Sequence, residues 1–111
     1  MEAKSSLGQI RISPRKMRLV ADVIRGYEFV EAVDMLKNVP KNSSTVILKT
    51  LKSAAANAKI INPDIEEGDL YVKKIFVDQG PLWKRFRARA RGRADQVKRR
   101  TSQLTIVLAD D

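Results

Sequence analysis

Residues 84–95 read KRFRARARGRAD, with an arginine at every second position: Arg85, Arg87, Arg89, Arg91 and Arg93. Phe86, Ala88, Ala90, Gly92 and Ala94 fill the alternate places. On a helix, at about 100° per residue, this period scatters the arginines around the whole circumference and leaves no apolar face. On an extended chain it puts all five on one side. The stretch is therefore read as extended. Alanine and glycine are poor strand formers, and arginines two apart repel one another. The segment is expected to need an anionic lattice to order it.

The flanks decide the fold. Residues 70–78 are rich in β-branched and aromatic side chains, and residues 102–109 alternate with Leu104, Ile106 and Leu108 inward. No helical stripe lies between these two strands, so the simplest topology is one antiparallel hairpin with its base in a sheet and the basic stretch at its far end. Residues 9–12 alternate as well, Ile10 and Ile12 against Gln9 and Arg11, and are read as a short first strand.

Three helices complete the pattern. Ser13-Pro14 suits a helix start, serine capping the free amides and proline occupying a position that needs no donor. Met17, Val20, Ala21 and Ile24 then recur at helical spacing, and Gly26 supplies the stop. A second helix is read over residues 28–38 with Phe29, Val33 and Leu36 inward, ended by Pro40. The third, over residues 43–61, carries Ile47, Leu51, Ala54, Ala55 and Ala58 and stops at Asn62-Pro63. Its alanines allow close packing. The expected architecture is α+β: three helices on a small three-stranded antiparallel sheet, with a long protruding basic β-hairpin. With 111 residues the chain is read as one domain, globular over residues 1–79 and 102–111, with an arm over 80–101.

The net charge is +9, and almost all of it lies in one place. Residues 83–100 hold nine basic side chains (Lys84, Arg85, Arg87, Arg89, Arg91, Arg93, Lys98, Arg99, Arg100) against the single acid Asp95. The remaining 93 residues hold 13 basic and 12 acidic groups and are nearly neutral. Such asymmetry points to a polyanionic partner.

Other classes fit poorly. The chain lacks both His and Cys, so the usual general base and soft nucleophile are missing, and no phosphate-loop or dinucleotide glycine motif is present. The acidic run DIEEGD, residues 64–69, misses Ca²⁺-loop spacing and is read as a solvated turn rather than a metal site. No enzyme activity, cofactor or metal is expected. The N-terminal MEAKSSLGQIR has no apolar core of a signal peptide, and no apolar run is long enough for a membrane span. The alternate face of the arm is mostly Ala and Gly, too small for insertion into a membrane interface.

Seven of the nine arm cations are arginine, whose planar fork matches phosphate oxygens and stacks on bases. Around the globular part, Arg11, Arg15, Lys16, Arg18, Arg25, Lys49, Lys52 and Lys59 are the further candidates for binding nucleic acid. Trp83 has two readings: stacking on an unpaired base, or packing at the hairpin base against arginine stems or a neighbouring protein. An arm with Gln96 as its one side-chain amide positions on phosphates rather than reading sequence. That suits folded RNA, and it also suits an architectural DNA-binding protein with a basic β-arm. Composition does not separate the two.

Four motifs, in order and spacing, resemble the family of ribosomal protein twenty-two of the large subunit: ISPRKMRLVADVIRG (12–26), LKSAAANA (51–58), VDQGPLWKRFRARARGRAD (77–95) and KRRTSQLTIVL (98–108). The resemblance spans essentially the whole chain and is nearest to the bacterial form. It implies a cytoplasmic, non-catalytic constituent of the large ribosomal subunit that binds 23S-type ribosomal RNA and acts early in assembly. Implied partners are that RNA, neighbouring large-subunit proteins and the nascent polypeptide in the exit tunnel, with no membrane and no homo-oligomer. By position, Ala90, Arg91, Gly92 and Arg93 would form the tunnel-facing hairpin tip, a region the family links to macrolide sensitivity. Two departures stand out: Ala88 where the family commonly has proline, and Gln103 where it commonly has histidine.

Overall fold

In the computed structural model, which describes residues 1–79, 83–88, 94–99 and 101–110, the elements run β1 (Glu2–Ile10), α1 (Pro14–Ile24), α2 (Phe29–Lys37), α3 (Asn42–Ile61), a 3-10 turn (Glu67–Asp69), β2 (Leu70–Gln79), β3 (Trp83–Ala88), β4 (Ala94–Arg99) and β5 (Ser102–Asp110). Three strands form an antiparallel sheet in the order β1-β5-β2. The α+β expectation holds. β3 and β4 pair antiparallel as a separate ladder, Trp83 opposite Arg99 and Ala88 opposite Ala94. The backbone of both segments is thus extended, as the period of two requires. The expected long hairpin also takes in residues 80–82, 89–93 and 100, which lie outside the described residues.

α1 packs along β2, α3 lies over β1 and β5, and α2 packs on α3. The expected stripe of α1 is buried together with Pro14, and Leu104, Ile106 and Leu108 of the central strand are wholly enclosed beneath the helices. Ala54, Ala55 and Ala58 of α3 are buried too. Opposite them, β1 presents Ala3 and Ser5 as its inward residues. Small side chains on both surfaces let helix and strand approach closely, and close packing is worth more than bulk there.

That choice of small residues corrects the reading of the first strand. β1 begins at Glu2, not near Gln9, and Ile12 lies beyond its end. The inward Ala3 and Ser5 carry no large apolar side chain, so residues 2–6 show no alternation signal. The Ile10/Ile12 pair that mimics a strand sits instead at an irregularity. Pairing with β5 slips between Leu7 and Ile10, and Gln9 adopts φ 55°, in the left-handed region. The slip resets the phase and brings Ile10 into the core. A second correction concerns Ser13. It precedes α1 with an extended backbone, but its hydroxyl makes no capping hydrogen bond. Gly26 does act as the stop, at φ 84°.

Both edge strands are covered by groups from the helices. Asn57 of α3 donates to the carbonyl of Lys4 in β1 at 2.9 Å. On β2, Val72 exchanges backbone hydrogen bonds with Gly26 and Tyr27 just past α1. A bulge between Val72 and Lys74 then shifts the phase of the strand. Beyond it, Arg25 Nη2 donates to the carbonyl of Ile75 at 2.9 Å, and Arg18 places Nε (3.1 Å) and Nη2 (2.9 Å) on the carbonyl of Val77. Open strand edges are templates for unwanted pairing, and these guanidinium groups occupy the acceptors such pairing would use. Arg18→Ala is expected to lower stability by about 1 kcal/mol, a modest figure because the group is partly exposed, and to speed amide exchange across the second half of β2. Arg18→Lys should restore little, since an ammonium lacks the fork that sets two N–H groups on one oxygen.

Glu2 and Lys73 join β1 to β2 across the central strand. The hydrogen bond from Lys73, with its positive charge, holds the Glu2 carboxyl below its ordinary 4.5, and Glu2 in turn raises the Lys73 ammonium. The stabilisation from the lowered carboxyl is fully present above 4.5 and is lost as pH falls through the lowered value. The part from the raised ammonium is full below 10.5 and is lost as pH rises through the raised value. Both groups meet solvent, so NMR titration of the Glu2 carboxyl should show the depression shrinking in about 1 M salt.

Candidate nucleic-acid interface

The sheet register separates charge along the strands. Gln79, the last residue of β2, and Ser102, the first of β5, are paired, and Ile10 at the end of β1 also faces Ser102. Residues 80–101, which hold the basic run, therefore leave and rejoin the sheet at one end. Arg11 follows directly at that end, and the Ser102 hydroxyl donates to the carbonyl of Ile12 at 2.5 Å, tying the approach to α1 onto β5. At the other end Leu70 pairs with Asp110 and Glu2 with Ala109. There a cavity of about 310 Å³ is lined by four carboxylates, Glu28, Asp64, Asp69 and Asp110. A polyanion is drawn to the first end and repelled from the second.

The candidate cations fall into distinct groups. Arg11 and Lys16 line one cavity at the basic end. Lys52 and Lys59 share a groove with Phe29 and Val33, and Lys59 pairs with Glu67 at 3.5 Å. Arg15 and Lys49 are exposed. Arg18 and Arg25 are engaged with the β2 carbonyls, Arg25 also with Asp22 at 2.5 Å. Trp83, Lys84, Arg85 and Arg87 belong to β3, and Lys98 and Arg99 to β4, where the description is of the backbone. Arg89, Ala90, Arg91, Gly92, Arg93 and Arg100 lie outside the described residues. The acidic run forms the 3-10 turn and its approach, with Asp64 N–H bonded to Asn62 Oδ1 at 3.2 Å. Among the described residues no group of three or more His, Cys, Asp or Glu is arranged to hold a metal ion, and no helix is long and apolar enough to cross a membrane.

Residues 5–109 match the family described as ribosomal protein L22p/L17e. The chain belongs to that family. Among curated relatives, it is 49% identical over 110 residues to the large ribosomal subunit protein uL22 of Leptospira biflexa, covering 99% of this chain and 95% of the relative. It is 55% identical over 111 residues to the protein of the same name from Mycoplasma mycoides, covering 100% of this chain and 99% of the relative.

Membership of the L22p/L17e family bears out the resemblance carried by the four motifs, and with it the reading of a non-enzymatic component. Sequence reasoning about this L22p/L17e chain missed Lys41 and Ser43. Both line the cavity that holds Arg11 and Lys16, about thirty residues away along the chain. A lysine directly before a helix start was the available signal, but nothing local tells which other helix start it faces.

Proposed function

We propose that this protein is a structural constituent of the large ribosomal subunit in the cytoplasm, binding large-subunit ribosomal RNA and supporting subunit assembly. The observation that carries the reading is the concentration of nine cations between two paired positions, Gln79 and Ser102, at the sheet end away from the carboxylates. In this reading residues 1–79 and 102–111 act as a platform and residues 80–101 as an arm. The arm neutralises phosphates in a crowded RNA junction and reaches the wall of the nascent-chain exit tunnel, with Ala90, Arg91, Gly92 and Arg93 at its tip. The names of the relatives support the subunit. Neighbouring subunit proteins and the nascent polypeptide are the further partners, and no self-association is needed.

Sucrose-gradient fractionation of cell extract tests this. Co-migration with the large subunit, resistant to moderate salt, is expected. Free protein at the top of the gradient, or preference of the purified chain for duplex DNA over ribosomal RNA fragments in competition, would favour an architectural DNA-binding protein instead.

A further inference from the structure

Both strands from which the arm springs are tied to the opening of α1. On the outgoing side β2 ends at Gln79, and two residues earlier Arg18 sets Nε and Nη2 on the carbonyl of Val77, at 3.1 and 2.9 Å. Arg25, seven residues further along α1, holds the carbonyl of Ile75 with a single bond of 2.9 Å. On the returning side Thr101 is 2% exposed and Ser102 is wholly enclosed. Ser102 faces Gln79 in β2 and Ile10 in β1, and its hydroxyl donates to the carbonyl of Ile12. Residues 12–18 therefore grip both legs of the arm where they meet the sheet.

This grip does more than shield a strand edge. Any side chain lying over the edge of β2 would block pairing there. A guanidinium fork with two N–H groups on one oxygen also fixes the plane of that peptide, and here it is the plane just before the chain leaves the sheet. On the other leg, an enclosed hydroxyl is worth its desolvation only through the bond it makes, and that bond ends on the approach to α1. Small errors at such a root grow with distance. Ala88, the end of β3, is nine residues past Gln79, as much as ~30 Å along an extended chain. A tilt of about 10° at the root would carry it by about 5 Å over that length, further than a hydrogen bond spans.

We infer that Arg18 and Ser102 are positioning residues that set the direction in which the arm leaves the sheet, Arg18 acting on RNA through the arm and not by touching phosphate. This rests on the RNA-binding reading above and adds to it how the platform aims the arm. Arg15 and Lys16, exposed beside Arg18 on α1, and Arg11 just before it belong to the same bracket. RNA held by those cations and RNA held by the arm thus share one rigid reference, and the arm meets its phosphates with less orientation left to lose on binding.

The test measures binding of a ribosomal RNA fragment by the intact protein across a range of salt, well below the melting temperature. Arg18→Ala, Arg18→Lys and Ser102→Ala are each expected to lose about tenfold in affinity with the salt slope unchanged and circular dichroism as in the parent. A direct phosphate contact would behave differently: Arg18→Ala would flatten the slope by about 0.7 to 0.9, and Arg18→Lys would keep it. That outcome would overturn the positioning role. Affinity equal to the parent in all three variants would reduce both residues to structural supports and overturn it too. Combined with Arg85→Gln, Arg87→Gln and Arg89→Gln, the loss from Arg18→Ala should shrink to under about threefold, because the two act through the same arm; a full tenfold loss would contradict the coupling. The chain has no cysteine, so Gln96→Cys in β4 takes a single nitroxide. Without RNA, the pattern of amide broadening it causes over residues 1–79 should differ between the parent and the Arg18→Ala and Ser102→Ala variants. Identical patterns would overturn the bracket. This readout stands even if the parent binds no RNA, a result that would sink the RNA reading by itself.

Discussion

Replacing Arg85, Arg87 and Arg89 together by glutamine is expected to weaken binding to ribosomal RNA by about a hundredfold near 150 mM salt. Each phosphate neutralised by a cation releases about 0.7 to 0.9 counterions, so losing three contacts flattens the log–log salt dependence by roughly two to three units. Near 1 M salt the counterion term vanishes and the two proteins should bind alike. Extrapolating the difference in slope down to 150 mM gives the hundredfold loss. Arginine-to-lysine replacement at the same positions keeps the charge, so it should keep the slope and lose affinity only through the missing fork. Salt-dependent filter binding on the intact protein measures both quantities. An unchanged slope in the glutamine variant would mean that these arginines do not neutralise phosphates and that RNA contact lies elsewhere. The melting temperature should stay near that of the parent, because the buried core among the described residues is built mainly by the helices and by β1, β2 and β5.

The largest effect on stability is expected at the centre of the sheet. Ile106 is fully enclosed, with Ser5 opposite it in β1 and Ile75 opposite it in β2. Ile106→Ala removes buried methyl and methylene groups beneath the helices and leaves a cavity that flanking strands on both sides hold open. The cost should be about 3 to 4 kcal/mol. That is a large share of the ~5 to 15 kcal/mol that holds a domain of this size together, and it should lower the melting temperature by roughly 15 °C. Val107, the next residue, belongs to the other face and is partly exposed. Val107→Ala should cost under about 1 kcal/mol. Comparable losses at both positions in thermal denaturation would contradict a core lying on one face of the sheet. RNA binding by the folded fraction of Ile106→Ala should be unchanged, which distinguishes it from the arginine variant.

These two variants separate what holds the protein together from what it is proposed to hold. The helices were legible because their signals are local. A stripe such as Met17, Val20, Ala21 and Ile24 needs only the helical period and a single apolar neighbour to be recognised. β5 was legible for a similar reason: Leu104, Ile106 and Leu108 are large, and they alternate. β1 was not, because its partner α3 is built of alanines and accepts only small residues opposite. Ala3 and Ser5 look like a polar leader until the helix above them is in place. The Gln9 kink then breaks the alternation before Ile10, the first large core residue of the strand.

The amino-acid sequence by itself determined the fold class, the extended backbone of residues 83–88 and 94–99 and the concentration of charge, because each depends on composition or on a period within one segment. The division of labour among the cations was decided only by the tertiary structure. Arg11, Arg15, Lys16, Arg18 and Arg25 are all basic residues in or beside one helix. Yet Arg18 and Arg25 close the edge of β2, fifty and more residues on, while Arg11 and Lys16 face the start of α3 with Lys41 and Ser43. The physical reason is that hydrogen bonds and charge interactions act over a few ångströms of space. Which residues come that close is settled by how helices cross a sheet, and no local period records it.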